Sequence, residues 1–351
     1  MAFSSGELSN IANASLDYYL DRGTVYSQTL QDKPLLAAMD KKAKTFPGGK
    51  GNISAAVKGV YTTTAAGYTH TDTVSYSTPA NIQRVNYAWK EHHAGISLTL
   101  TELKHDGISV VDSTDSSSTS SHTNREATML ANLLEDKLED MMEGYSRSMN
   151  GFLLADGTGD SAALTGIQAL IKDTPGGSTT TGGLSNSTNT WWRNRASLDI
   201  SVTSGGTELI ELMHTELRQL RRFGGKPDLA ICGSAFLDRL ANELIKNGNF
   251  SNTGFNNRGN TDISVADIHY GGLNFVYDPS LDDLSISGKE PNKRCYIIDT
   301  SKICMYYMEG EKMKRHSPAR PATQYVMYRA ITSTCQLVAT QLNSSGVYEI
   351  A

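Results

Sequence analysis

Hydrophobic positions are unevenly distributed along this chain. Between residues 62 and 82 the text TTTAAGYTHTDTVSYSTPANI offers Val74 and Ile82 as its large aliphatics, too little apolar surface to offset the entropy of ordering the stretch by itself. Two β-like segments flank it, at 53–61 and 82–100. In the second, Ile82, Arg84, Asn86 and Ala88 share one parity while Val85, Tyr87 and Trp89 share the other, the period of a strand with two unlike faces. The pattern predicts a long two-stranded excursion. A lone hairpin of that length is barely stable in water, so it has to pack on a neighbour, and the expected neighbour is another copy of the same chain.

Helical spacing marks other stretches. Leu8, Ile11, Ala12, Leu16 and Tyr19 predict a helix over 4–20, followed by the extended connector RGTVYSQTLQDK and a short helix over 34–42 that admits Pro34 in its first turn. The basic run Lys41, Lys42, Lys44 then meets the break FPGGKGN. After the low-complexity hinge STDSSSTSS (113–121), Ser121 or Thr123 can cap one long helix over 124–154. Leu130, Leu134, Leu138, Met141, Met142, Tyr145, Met149, Phe152 and Leu153 recur every three to four residues there. At 1.5 Å per residue the rod is roughly 45 Å long, and Gly144 costs it about 1 kcal/mol relative to alanine. The Gly/Ser/Thr-rich loop TPGGSTTTGGLSNSTNTWWRNRASL closes on Trp191 and Trp192, which predicts a loop pinned by a buried indole.

From residue 205 the text turns α/β. A helix over 207–223 (Leu209, Leu212, Met213, Leu217, Leu220), the turn GGKPD, a strand at 229–232 and a helix capped by Ser234 (Phe236, Leu237, Leu240, Leu244, Ile245) give this section its own core. NGNFSNTGFNNRGN reads as disorder, and short strands follow at 267–270, 273–277, 295–299 and 303–308, then a long β run over 324–342.

Composition narrows the class. Apolar residues make up 38% and aromatics 8%, ordinary for one or two globular domains. A net charge of -5 argues against a dedicated nucleic-acid binder while leaving room for a local basic patch. The first residues lack the basic and apolar regions of a signal peptide, and no run approaches the length of a membrane span, so a soluble chain made in the cytoplasm is expected. Cys232, Cys295, Cys304 and Cys335 form no C-x-x-C pair; they read as buried small hydrophobes rather than zinc ligands or a disulfide framework.

Chemistry-bearing motifs are thin. Nucleophile-elbow, metalloprotease, phosphate-loop and dinucleotide signatures are missing from the text, and PGGKGN matches a phosphate loop in composition alone. DGTGD (156–160) lacks the further ligands of a calcium loop and reads as a capping turn. His92 and His93 point to opposite faces of a strand and read as exposed. The acidic stripe 135–143, interrupted by Lys137, fits a solvated helix face. No catalytic, cofactor-binding or metal-binding residues are assigned, and no cofactor.

The order of elements, together with GGLSNSTNTWW (182–192) and the helix, GGKPDLAICG strand and helix of 207–245, resembles the major capsid protein of tailed bacteriophages, the Hong Kong 97-type fold. The resemblance spans nearly the whole chain. It implies an α+β fold with an N-terminal arm (1–44), an extended β-hairpin loop (45–100), a peripheral domain (101–204) with the spine helix 124–154, an axial α/β domain (205–313) and a return strand of the peripheral domain (314–351). The peripheral sheet is expected to pair 96–103 with 325–342. Function follows as an expectation: no enzyme, but a shell protein that self-assembles through pentamers and hexamers into an icosahedral head enclosing double-stranded DNA, resident in the virion and assembled in the host cytoplasm.

Implied inter-subunit contacts are Lys50, Lys58, Tyr61, Tyr76, Tyr87, Trp89, Tyr18 and Tyr19, and an implied inner-surface basic patch comprises Arg22, Lys41, Lys42 and Lys44. Implied partners are copies of itself, a separate scaffolding protein, a portal, a decoration protein and packaged DNA held non-specifically, with no membrane. Two departures bear on this. The chain starts almost directly with the arm, so a separate scaffolding protein or none is expected. Lys50 and Lys58 are the candidate loop lysines for the type member's isopeptide crosslink, but its asparagine and carboxylate are not locatable from sequence. Rival readings are an encapsulin-like cellular nanocompartment shell, an enzyme with an unrecognised site in 205–313, and a secreted adhesin-like β protein, against which the missing signal peptide argues.

Overall fold

The short text RCYII forms a strand (Arg294–Ile298) buried at every residue, which demands sheet neighbours on both edges and cover on both faces. The computed structural model describes residues 3–4, 31–48, 50–73, 76, 81–105, 110–111, 124–203, 206–246, 267–286, 288–317 and 326–351. They divide into two units: 32–90, 150–309 and 335–351 form one, and 1–31, 91–149 and 310–334 form the other.

In the first unit, six described strands form one sheet in the order Asp267–Tyr270, Leu273–Tyr277, Leu229–Cys232, Arg294–Ile298, Gly346–Ile350, Arg195–Ile200. The helices Glu208–Arg221 and Ser234–Lys246 contribute Leu209, Met213, Leu217, Leu220, Phe236, Leu240 and Leu244 to the core cluster that also holds Cys232, Phe275, Ile297 and Tyr348. Ser234 is the first helical residue rather than a cap; its N–H is satisfied by Asp282 Oδ1 at 3.1 Å. The expected strands at 229–232, 267–270, 273–277 and 303–308 are present, but Gly346–Ile350 and Arg195–Ile200, which fill one side of the sheet, lie beyond what the sequence pattern predicts. Arg294 is 2% exposed, and its guanidinium meets Asp173 at 3.0 Å and Glu349 at 2.5 Å, the latter its cross-strand partner. A buried charge of this kind needs both carboxylates.

The same unit holds the hairpin. Asn52–Lys58 and Ile82–Ala88 pair antiparallel from Asn52↔Ala88 to Lys58↔Ile82. The predicted single segment 82–100 is therefore two strands, Ile82–Ala88 and Lys90–Thr99. They part at Trp89, whose indole lies 6.0 Å from the Phe46 ring and donates Nε1–H to the Lys50 carbonyl at 3.2 Å. Lys44–Phe46 joins Ile303–Met308 in parallel, and Ile303–Met308 pairs antiparallel with the last residues of Val326–Ala339.

A polar pin completes this unit. Asn150 Nδ2 donates to both oxygens of Asp278 at 3.2 Å and to Ser280 at 2.8 Å, while its Oδ1 accepts the Leu36 N–H at 3.2 Å from the helix Pro34–Lys41. Burial pushes the Asp278 carboxyl up, and the Asn150 and Ser280 hydrogen bonds pull it partway back.

Helix Asn124–Leu154 takes the predicted span, and its residues up to Met149 belong to the second unit. Leu138 and Met141 pack with Ile331, and Ala94, Ile96, Met142, Tyr145 and Met313 close around them. Tyr145 donates to the Ser333 hydroxyl at 2.7 Å. Lys90–Thr99 pairs with Val326–Ala339, as expected for 96–103, but it ends at Thr99 and Leu100–His105 is helical. The cause is a capping box: Thr99 Oγ1 accepts from the Glu102 N–H at 3.2 Å and Glu102 Oε2 accepts from the Thr99 N–H at 3.1 Å. His92 is buried and His93 exposed, which corrects the expectation of two exposed histidines while keeping their opposite faces. All four cysteines are buried and free. Expected features at 5–30, 113–121 and 247–260 lie outside the described residues, and among those described no helix is long and apolar enough to cross a membrane.

Candidate assembly surfaces

Parity decides which side of the hairpin is held. Ile53, Val57, Val85 and Tyr87 face inward and are buried; Ser54, Lys58, Arg84 and Asn86 share the outward parity. The inward face is fastened at its root. Tyr87 donates its hydroxyl to the Ala339 carbonyl at 3.2 Å, and the Asn86 N–H donates to the Gly182 carbonyl at 2.9 Å. Gly182 adopts φ +60°, and a Cβ there would press on the Tyr87 ring and on Val85, so the small turn Thr180–Ser185 fits only as glycine. That turn is in turn pinned by Trp192, 1% exposed, whose Nε1–H reaches the Thr181 carbonyl at 3.0 Å. Trp191 stands edge-on to Trp192 at 5.8 Å and covers Gly59, where a Cβ would fall inside the indole.

Beyond the root the described residues 60–73 and Tyr76 are exposed. Val60, Tyr61, Tyr68, Tyr76 and Ile82 are exposed, Tyr76 to 94%, and local order at the tip comes from Asp72, which accepts the Thr69 N–H at 2.8 Å. At the root a groove of about 760 Å³ runs past Val57, Gly59, Tyr61, Trp191, Phe223 and Leu342. So many exposed large apolar groups in and beside the segment that joins the two strands are the mark of an interaction surface.

The sheet, the long helix and the projecting hairpin can be compared with solved structures as one chain. The capsid asymmetric unit of cyanophage A-1(L) is similar over 93% of this chain and 94% of that chain, with a TM-score of 0.61 at 15% identity. The chain has the fold of tailed-phage capsid proteins. The capsid of Myoviridae phage XM1 (TM-score 0.52, 9% identity, 93% of this chain and 95% of that one) and the capsid of a native GTA particle (TM-score 0.51, 11% identity, 93% and 95%) share this capsid fold. No family model and no curated protein sequence matches the chain.

Within the capsid fold the residues singled out by sequence fall into distinct places. Lys50, Lys58, Tyr61 and Tyr76 are exposed, with the Lys58 ammonium 4.3 Å from the Tyr61 ring. Trp89 is half-buried against Phe46. Tyr87 is 5% exposed and its hydroxyl is engaged within its own unit; it is a root anchor rather than a free contact, and burial pushes its phenol up. Tyr18, Tyr19 and Arg22 lie outside the described residues. Of the basic run, Lys41 is exposed, Lys42 pairs with Asp228, and Lys44 lies 5.8 Å from the Tyr306 ring. Burial works against ionisation of Asp228, yet Lys42 and Thr300 together hold its carboxyl below the ordinary range. Asp156 and Asp160 hydrogen-bond their own loop, to Thr158 and Ala162, and among the described residues no group of three acidic, histidine or cysteine side chains could hold a metal. Sequence reasoning missed the Gly182 contact and the Asn150–Asp278 pin; neither leaves a local signal, because each joins residues distant in the chain.

Proposed function

We propose that this chain is the major capsid protein of a phage head, assembling with copies of itself through pentamers and hexamers into a closed icosahedral shell around double-stranded DNA. The observation that carries the reading is the likeness to a phage capsid subunit along 93% of the chain, in a molecule whose hairpin presents Tyr61, Tyr68 and Tyr76 largely to solvent. Each hairpin finds its cover on an adjacent copy, and repetition of that contact around symmetry axes closes the shell. The role is structural, in the virion, with assembly in the host cytoplasm.

In this reading the parts are an arm (1–44), an extended loop (45–100), a peripheral domain with the long helix and an axial domain (205–313). Lys50, Lys58, Tyr61 and Tyr76 make contacts between copies. Scaffolding, portal and decoration proteins are further partners. Arg22, Lys41 and Lys44 carry most of the inward positive charge toward DNA, since Lys42 is partnered by Asp228. Light scattering of the purified chain, followed by negative-stain imaging of the largest species, tests the reading. Angular, uniform particles or discrete five- and sixfold rings support it. A 38.1 kDa monomer that persists under crowding and salt overturns it.

A further inference from the structure

The centre of the six-stranded sheet holds a pair of thiols that the assembly reading does not use. Cys232 on Leu229–Cys232 lies directly across from Cys295 on Arg294–Ile298 in antiparallel register. One position on, the Gly233 N–H donates to the Arg294 carbonyl at 3.0 Å. That bond makes Gly233 and Arg294 a hydrogen-bonded pair, so Cys232 and Cys295 are a non-hydrogen-bonded pair. In such a pair the Cα atoms approach to about 4.5 Å with the side chains close together, within the range that a disulfide spans. Both side chains enter the same core cluster and both are fully buried.

Their neighbours keep the pair isolated. The same row of the sheet runs Tyr277, Cys232, Cys295, Tyr348, so a tyrosine flanks each thiol. Burial, and then contact with Cys295, push the Cys232 thiol well up, which keeps it protonated and slow to exchange at neutral pH. The other two cysteines have no such partner: Cys304 faces Val338 and Cys335 faces Tyr307.

We propose that Cys232 and Cys295 are a latent cross-strand dithiol, silent in a reducing cytoplasm, that closes to an intrachain disulfide when the folded protein meets a small two-electron thiol oxidant. With diazenedicarboxamide the balance is simple. One thiolate adds to the N=N bond, the second attacks the sulfur so attached, and the hydrazine leaves with both electrons and both protons. The product links the two neighbouring central strands and encloses residues 233–294. This site is independent of whether the chain builds a shell.

The test uses the intact folded chain, exposed to diazenedicarboxamide at a series of temperatures below its unfolding transition, then unfolded in iodoacetamide, digested and mapped by mass spectrometry. The expected result is a linked Cys232–Cys295 peptide pair, two hydrogens lighter than the free thiols, with Cys304 and Cys335 alkylated. The link should be lost on dithiothreitol treatment and should raise the thermal midpoint while present. A Cys304→Ala/Cys335→Ala chain should form it equally well. Alkylation of all four cysteines at every temperature below unfolding overturns the proposal, as does a mixture of pairings that includes Cys304 or Cys335. Because the mapping is done on the unaltered chain, it does not depend on whether a Cys232→Ser variant folds.

Discussion

The sheet centred on Arg294–Ile298 and the hairpin Asn52–Lys58/Ile82–Ala88 are both β-structure, yet they are ordered by different means. The sheet strand is buried at all five residues and packs with two helices in one apolar cluster; its order is its own. The hairpin buries Ile53, Val57, Val85 and Tyr87 at its root and leaves its outer face and tip in solvent. Its order is borrowed, from Trp191, Gly182 and Ala339 at one end and, in the assembly reading, from a neighbouring copy at the other. Burial of apolar area stabilises a fold wherever it occurs, so a chain can place part of that area in a segment that reaches full burial only in company.

Four variants would break or sharpen this contrast, and their expected effects on folding decrease in turn. Phe236→Ala, in the sheet's cluster and fully buried, should cost about 3–5 kcal/mol, a large part of a typical domain's stability; urea unfolding followed by circular dichroism reads it. An unchanged midpoint would mean that the sheet does not carry the unit's stability. Gly59→Ala drives a methyl into the Trp191 indole and should cost about 1–3 kcal/mol, with hydrogen exchange rising first in Asn52–Lys58 while Arg294–Ile298 stays protected. Uniform acceleration across both regions would show that the root is not a separate clamp.

Lys42→Met should cost only about 0.2–1 kcal/mol, because the pair with Asp228 is partly exposed. Its pH dependence is the sharper readout. Asp228 has a folded pKa held below its ordinary value of 3.8, so the contribution is complete above that value and fades as pH falls through the folded pKa. The difference in melting temperature between parent and variant should therefore shrink in acid, and a difference that grows in acid would exclude the pair as its source. Finally, Tyr68→Ser with Tyr76→Ser should leave folding within about 0.5 kcal/mol, since both rings are exposed, but should lower the yield of assembled particles seen by light scattering. Normal particle yield would remove the hairpin tip from the contact between copies.

Local period carried much of the architecture. The span of Asn124–Leu154, the α/β alternation from Glu208 to Met308, the inward parity of Val85 and Tyr87 and the pinning of the Gly/Ser/Thr-rich loop by Trp192 all follow from spacing that the sequence displays directly. The exposure of Tyr61 and Tyr76 follows from the polar text around them. The capping box at Thr99 and Glu102 was also present as T-x-x-E, masked by the β-rich residues before it.

Tertiary structure alone decided the rest. GVYEI is too short to declare itself, yet Gly346–Ile350 lies between Arg294–Ile298 and Arg195–Ile200. Tyr87 became an anchor, Asp278 found Asn150, Lys42 found Asp228, and two cysteines 63 positions apart in number became opposite neighbours. Period determines which face of a strand or helix is apolar, because that depends only on the geometry of adjacent residues. Which surfaces then meet depends on backbone pairing and packing between segments far apart in the chain, and no local pattern encodes that choice.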